Sequence, residues 1–396
     1  MTTLARRVAA AGMLGICAAA AGLGACERAD PLGAPQQPTG AGAGTGEGGG
    51  TFLPPDDGGP PPLDASGLCG NQLHEVVVDA PNVYFVIDAS GSMSAPAGNK
   101  TRYQKVRSAA VDLVRELGAL IHVGAALFPH EATSSEECAI GAQVMEVTPG
   151  DPYTGQTGPT TGKFSKATDV TPFGGTPTAA TLDDLRPGIQ SLPGKTIVVL
   201  VTDGAPNCND DLLCGPNECP FNIEGCTGDP CCEEGENCCA PGAPAGPGAC
   251  IDELASIQAV EAYAEAGLPV YVVGIPGSEI YAGVLGDMAI AAGTAQIAAP
   301  FYFSVESLDN LGAVLGGIAA IAVSCVFQIE DPPETPDETN VYLDGQVLPA
   351  DLENGWRWMD PDLTRIELLG DACDRLKSAQ IKSVQIVSGC PTEPPK

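Results

Sequence analysis

Between residues 83 and 304 the chain alternates short apolar runs with stretches whose apolar residues recur at helical spacing. Val83-Tyr84-Phe85-Val86-Ile87 is an unbroken apolar run, the pattern of a strand covered on both faces. Behind it, Val106, Ala110, Leu113, Val114 and Leu117 lie on one face of a helix. The same reading predicts strands at His122–Phe128, Val144–Val147, Thr196–Thr202, Val270–Ile275 and Phe301–Ser304. Helices are expected over Pro177–Ser191, Ile251–Ala266, Glu279–Ala292 and Leu308–Ser324. Strands separated by helices point to an α/β fold with a doubly wound, mostly parallel sheet, here assigned to residues 70–325.

After Cys325 the pattern turns β-like. Val341-Tyr342-Leu343 runs into a turn at Asp344-Gly345, and Trp356-Arg357-Trp358, Ile366–Leu369 and Ile381–Val387 read as further strands. Residues 326–396 are therefore expected to form a small β-rich C-terminal module. Leu311–Phe327 carries no charge and places Gly312 and Gly316 at a spacing seen in membrane helix pairs. As the last helix of an α/β domain, it reads as a core helix.

The start of the chain follows a different pattern. Arg6 and Arg7 precede an Ala/Gly/Leu-rich run ending at Leu23-Gly24-Ala25-Cys26. A basic segment, a short apolar segment and a small-residue end form a signal peptide over 1–25. An uncleaved anchor is the alternative, but four glycines and many alanines in Val8–Ala25 make a poor spanning helix. The last four residues resemble a bacterial lipobox, which implies acylation of Cys26 and a lipid anchor in the bacterial envelope, facing the periplasm or the cell surface. Residues 26–66, dominated by Gly and Pro, cannot bury enough apolar surface to fold and read as a tether spanning roughly 35 Å.

Charge narrows the partners. The net charge of −32 becomes −34 after cleavage, because Arg6 and Arg7 leave and no acid does. With 18 basic residues against 50 acidic ones there is no phosphate-binding stripe, so no nucleic-acid partner is expected. The 16 cysteines fit export; without Cys17 and Cys26, 14 remain for disulfides.

Three segments carry candidate chemistry. Asp88-Ala89-Ser90-Gly91-Ser92 ends the first strand, Gly174-Gly175-Thr176-Pro177-Thr178 precedes a helix, and Thr202-Asp203-Gly204 ends the strand at 196–201. Each alone fits an ordinary turn, with Asp and Ser capping amides and Thr176 an N-cap before Pro177 at the first helical position. Together, in this order, they resemble the metal-ion-dependent adhesion site of von Willebrand factor A and integrin I domains. The resemblance covers about residues 80–325. It implies that Ser90, Ser92 and Thr176 offer hydroxyl oxygens to one ion, with Asp88 and Asp203 holding it largely through water. The implied ion is Mg2+, with Ca2+ or Mn2+ as alternatives, and the implied partner is a protein offering an Asp or Glu carboxylate. Hard divalent cations take oxygen donors, and Mg2+ keeps several waters. In a 3-2-1-4-5-6 sheet, Asp88 and Asp203 end neighbouring strands at the point where the winding reverses, where ligands bind.

Enzyme signatures are missing from the sequence. Gly194-Lys195-Thr196 lacks the glycine spacing of a phosphate loop, and His74, His122 and His130 form no H-E-x-x-H pattern. The expected function is a non-enzymatic, cation-dependent binding or adhesion module on the envelope. The alternative is a structural subunit of an envelope or cell-surface assembly.

Nine cysteines fall in the Gly/Pro-rich insert 208–250, which has no C-x-x-C pair and so reads as disulfide-bonded in preference to zinc-binding. An odd count requires one member to pair outside the insert or remain free, and Cys138–Cys208 is the expected link. Cys373–Cys390 brackets a short loop whose closure is worth roughly 3 kcal/mol. Cys69–Cys325 is expected because the two flank the α/β domain, whose ends usually lie close together. Adjacent cysteines such as Cys231 and Cys232 should not pair with each other.

Overall fold

The computed structural model describes residues 68–394, except 71, 153–154, 226–231 and 234. All of them lie in one unit, Glu47–Lys396. The expected signal peptide 1–25, the lipidation candidate Cys26 and the expected linker 26–66 lie outside the described residues, as do Cys226 and Cys231.

The described residues open with two short strands, β1 (Gln72–His74) and β2 (Val76–Val78), before β3 (Asn82–Asp88), all seven of whose residues are buried. A tight hairpin, β4 (Pro96–Ala97) and β5 (Lys100–Thr101), leads into α1 (Arg102–Leu117). Thr101 and Gln104 start this helix with a capping box, each side chain bonding the other's backbone amide. Then come β6 (His122–Phe128), β7 (Ala142–Pro149), α2 (Pro159–Ala167), α3 (Thr178–Gln190) and β8 (Thr196–Thr202). The insert contains the short α4 (Pro220–Ile223), and α5 (Glu253–Glu265), β9 (Val270–Gly274), α6 (Ala282–Ala291), β10 (Phe303–Ser304) and α7 (Leu311–Ala322) complete the layer.

Six strands pair in the order β10-β9-β8-β3-β6-β7. All neighbours run parallel except β7, which is antiparallel to β6. In chain order this is 3-2-1-4-5-6, so the fold is a doubly wound, mostly parallel α/β sheet. Along β3 and β8, alternate side chains enter opposite cores. Val83, Phe85, Ile87, Ile197, Val199 and Val201 pack with α1 and α7 on one face. Tyr84, Val86, Val198 and Leu200 pack with α3, α5 and α6 on the other. Each such side chain taken wholly from water contributes about 1.5–3 kcal/mol.

Several boundaries differ from the sequence pattern. The edge strand β7 extends beyond Val144–Val147, and β10 keeps only two residues of the expected four. The helix expected from Glu279 begins as a 3-10 turn over Glu279–Tyr281. Helix α2 has little apolar periodicity, and buried Asp151 starts it by accepting the amides of Thr160 and Thr161, each at 2.8 Å. No described helix is long and apolar enough to cross a membrane; α7, of 12 residues, packs instead into the sheet core.

The C-terminal module is built from both ends of this unit. Strands β11 (Val326–Ile329), β12 (Thr339–Leu343), β13 (Gln346–Leu348), β14 (Trp356–Trp358), β15 (Arg365–Leu368) and β16 (Val384–Ser388) form two four-stranded antiparallel sheets, ordered β1-β16-β12-β13 and β14-β15-β11-β2. A helix, α8 (Asp371–Lys377), interrupts the β pattern. The module therefore includes residues 72–78 as well as the expected 326–396.

That topology corrects two expected disulfides. Cys373–Cys390 and Cys69–Cys325 do not form; the bonds are Cys69–Cys390 and Cys325–Cys373. Strand β1 pairs with β16, which brings Cys69 to Cys390, two residues past the end of β16. Cys325 precedes β11, whose partner β15 leads into α8 and Cys373.

Candidate metal centre

Asp88 is the last residue of β3 and is fully buried. Its Oδ1 accepts the Ser90 amide at 2.8 Å, and its Oδ2 accepts the Thr202 hydroxyl at 2.6 Å. The chain then makes a 3-10 turn over Gly91–Ser94, pinned by the buried Met93. This turn brings Ser90 Oγ and Ser92 Oγ to 3.0 Å, and Ser92 Oγ donates to Asp203 Oδ1 at 2.6 Å. Two sequence segments 111 positions apart thus form one hydrogen-bonded set of oxygens.

The third segment docks on the first through backbone. Gly91 N donates to Gly174 O at 2.8 Å, and Phe173 N donates to Ala89 O at 2.9 Å. Gly174 has φ +96°, a left-handed backbone that glycine adopts without steric cost. At Gly175 a Cβ would overlap Cys208 Sγ and lie 3.2 Å from Cys138 Sγ, so only glycine fits. Thr176 follows and lines the same cavity as Ser90 and Ser92. It is not the helix N-cap that the sequence suggests, because α3 begins at Thr178 with Pro177 as its cap. Its backbone is held from the side: Thr176 N donates to Asn207 Oδ1 at 2.7 Å, and Asn207 N donates to Thr176 O at 2.9 Å.

All five residues implied by the family resemblance therefore meet at the C-terminal ends of β3 and β8. Three supporting residues were not identified from sequence. Thr202 orients Asp88, Asn207 holds Thr176, and Arg102 binds Asp203 Oδ2 at 2.7 Å. Only Thr202 and Arg102 carried a local hint, the first within the Thr202-Asp203-Gly204 string and the second at the start of an amphipathic helix.

Burial pushes the Asp88 carboxyl up to about 7, and the neighbouring Asp203 charge adds to this; hydrogen bonds from Ser90 and Thr202 pull the other way. Burial also raises Asp203, against the bonds from Ser92 and Arg102. Of these two buried carboxylates only Asp203 has a guanidinium beside it, so ionising both leaves a negative excess in a low-dielectric place where ionised groups cost several kcal/mol each. Every donor offered to an ion is an oxygen. The residues present therefore fit a hard divalent cation. Ser90, Ser92 and Thr176 would hold it by their hydroxyls, and Asp88 and Asp203 by their charge.

Next to these oxygens opens a cavity of about 450 Å³. Its far wall is the cysteine-rich insert, including Pro220, Phe221, Glu224 and Pro247. Glu224 accepts a 2.5 Å hydrogen bond from the Tyr281 hydroxyl, which ties the insert to the start of α6. Within the insert, Cys214–Cys250, Cys219–Cys239 and Cys232–Cys238 are bonded, and Cys208 pairs outward with Cys138. Among the described residues, Cys214, Cys239 and Cys250 are close enough together to hold a metal, but all three are in disulfides.

No protein-family model and no curated protein sequence matches the chain. Solved structures do. The pilus adhesin SpaC from Lactobacillus rhamnosus GG is similar at 16% identity and TM-score 0.43, covering 78% of this chain and 39% of its own. The PilB minor pilin from Streptococcus sanguinis is similar at 20% identity and TM-score 0.40, with 60% of each chain covered. The von Willebrand factor domain of a type V pilus tip protein from Porphyromonas gingivalis is similar at 14% identity and TM-score 0.41, covering 66% of this chain and 99% of that domain. The chain thus spans 39% of the first of these proteins and 60% of the second, less than two thirds of each.

Proposed function

We propose that this protein is an envelope-anchored, non-enzymatic binding module that grips a protein partner through a divalent cation, most simply Mg2+. The observation that carries this reading is the convergence of Asp88, Ser90, Ser92, Thr176 and Asp203 on one oxygen-lined site with a negative excess. Bound there, the ion supplies an electrophilic position that an Asp or Glu carboxylate from the partner can complete. The chain's own part is to hold three neutral hydroxyls toward the ion and to keep the two carboxylates fixed behind them. Thr202 and the Ser90 amide occupy both oxygens of Asp88, which suits a charge acting through water.

The open cavity beside the site leaves room for the partner's carboxylate, and the insert forms the opposite wall. Attachment to the envelope through acylated Cys26 rests on the lipobox after a basic segment. Replacing Cys26 with Ser should move the protein from the membrane to the soluble fraction; unchanged membrane association would remove the anchor from the reading.

The metal reading is tested by pull-down from envelope extracts with and without EDTA, alongside calorimetry with Mg2+. A reversible adhesive contact is lost in EDTA. A partner retained in EDTA points instead to a permanent subunit of an envelope assembly.

A further inference from the structure

We infer that the Cys138–Cys208 disulfide and Asn207 form a staple that positions Thr176, so that this one covalent link sets the affinity of the metal site. The inference rests on the metal reading above. The loop Gly174-Gly175-Thr176 is held between two jaws from distant parts of the chain. One is the connection after β6, where Glu137 O accepts the Gly175 amide at 2.9 Å. The other is the connection after β8, where Asn207 bonds both the amide and the carbonyl of Thr176. The disulfide joins the jaws at adjacent residues, Cys138 and Cys208, and passes directly over Gly175.

Cys208 has φ +76°, a left-handed conformation that a non-glycine residue keeps only when its surroundings impose it. Here the surroundings are the disulfide on one side and, on the other, the Cys208 amide bonded to Gly248 O at 2.6 Å. Release of the disulfide frees that residue, then Asn207 beside it, and then Thr176. The other five disulfides among the described residues lie within the insert or within the β module, away from this loop. Residues that orient a metal ligand from behind typically change metal affinity by 10–100-fold when removed.

The test uses the full chain and two variants, Cys138→Ser with Cys208→Ser, and Asn207→Ala. Two quantities are read: Mg2+ affinity by calorimetry, and amide exchange of Gly175 in the metal-free protein. Both variants are expected to bind Mg2+ about 10–100-fold more weakly. In both, Gly175 should exchange at least about tenfold faster, although its own partner, Glu137 O, is untouched. Asn207→Asp keeps the acceptor oxygen and should restore protection of Gly175. The control, Cys325→Ser with Cys373→Ser, should leave both readouts near native. If the serine pair does not fold, Cys138→Ala with Cys208→Gly, which suits the left-handed backbone at 208, takes its place. Native-like affinity and exchange in the folded cysteine variant, or in Asn207→Ala, overturn the staple, as does an equal effect from the control pair. A native protein that binds no Mg2+ while the variants exchange faster overturns the metal reading and leaves the staple standing.

Discussion

The candidate metal centre and the β module sit at opposite ends of the parallel strands and are held by opposite means. In the module, Phe327, Trp356, Ile366 and Ile386 are buried in a core continuous with the α1 and α7 layer, and the Trp356 ring N–H is satisfied by Leu348 O at 3.0 Å. At the candidate metal site the buried charged groups are Asp88 and Asp203, and Arg102 pairs with Asp203 alone. The first arrangement lowers the free energy of the folded chain. The second raises it, a cost that a bound cation would offset. Stability and affinity therefore belong to different residues, and mutation should separate them.

The largest expected effect is on the module. Trp356→Ala should destabilise the protein by about 3–5 kcal/mol in denaturant titration, with Mg2+ affinity of the folded fraction unchanged. Asp203→Ala should do the reverse. Calorimetry should show at least a hundredfold loss of Mg2+ affinity, about 2.7 kcal/mol, with the metal-free melting temperature unchanged or raised. A fall in stability as large as that from Trp356→Ala would erase the contrast.

pH sharpens the contrast further. With Asp88 near 7, Mg2+ must displace a proton at lower pH, so affinity should fall as pH drops below about 7 and level off above it. The sign for folding is opposite to that of an ordinary aspartate. Between about pH 4 and 7 the folded, metal-free chain keeps a proton on Asp88 that the unfolded chain has released, so the contribution of this group to stability declines as pH rises through that window, while His122, lowered by burial, works the other way near its own titration. Isothermal titrations at pH 6 and 8 and melts across the same range check both slopes.

The smallest expected effect is at Arg102. Its guanidinium already neutralises part of Asp203, so Arg102→Ala should strengthen Mg2+ binding by roughly three- to tenfold, a charge effect of about 1 kcal/mol. Weaker binding in that variant would show that Arg102 holds Asp203 in place more than it competes with the ion.

The two regions were also unequally legible in the sequence. Inner strands such as Val83–Ile87 are apolar on both faces, so their pattern shows through without knowledge of neighbours. The five site residues sit on turns whose glycines and strand ends are local features. In the module, by contrast, β1 and β2 are three-residue strands defined only by pairing with β16 and β11. No local pattern connects His74 with Ile386, and Cys69 could not be matched to Cys390 without that register. Asn207 was hidden for the same reason, since its role exists only through Thr176, 31 positions away.

The Cys69–Cys390 link has a mechanical consequence. The described chain enters at the module, whereas a partner gripped by the ion would pull from the far end of β3, roughly 20 Å away along the strand. Tension between those points runs lengthwise through β3, which is paired along its length with β6 on one side and β8 on the other. Those ladders are then loaded in shear, all rungs sharing the force, and cannot be unzipped one at a time. At the entry point β1 is only three residues long and would peel from β16 under such a load. The covalent tie from Cys69 to Cys390 bypasses it and delivers the pull directly to the end of β16. Under tension, this three-residue strand carries almost none of the load.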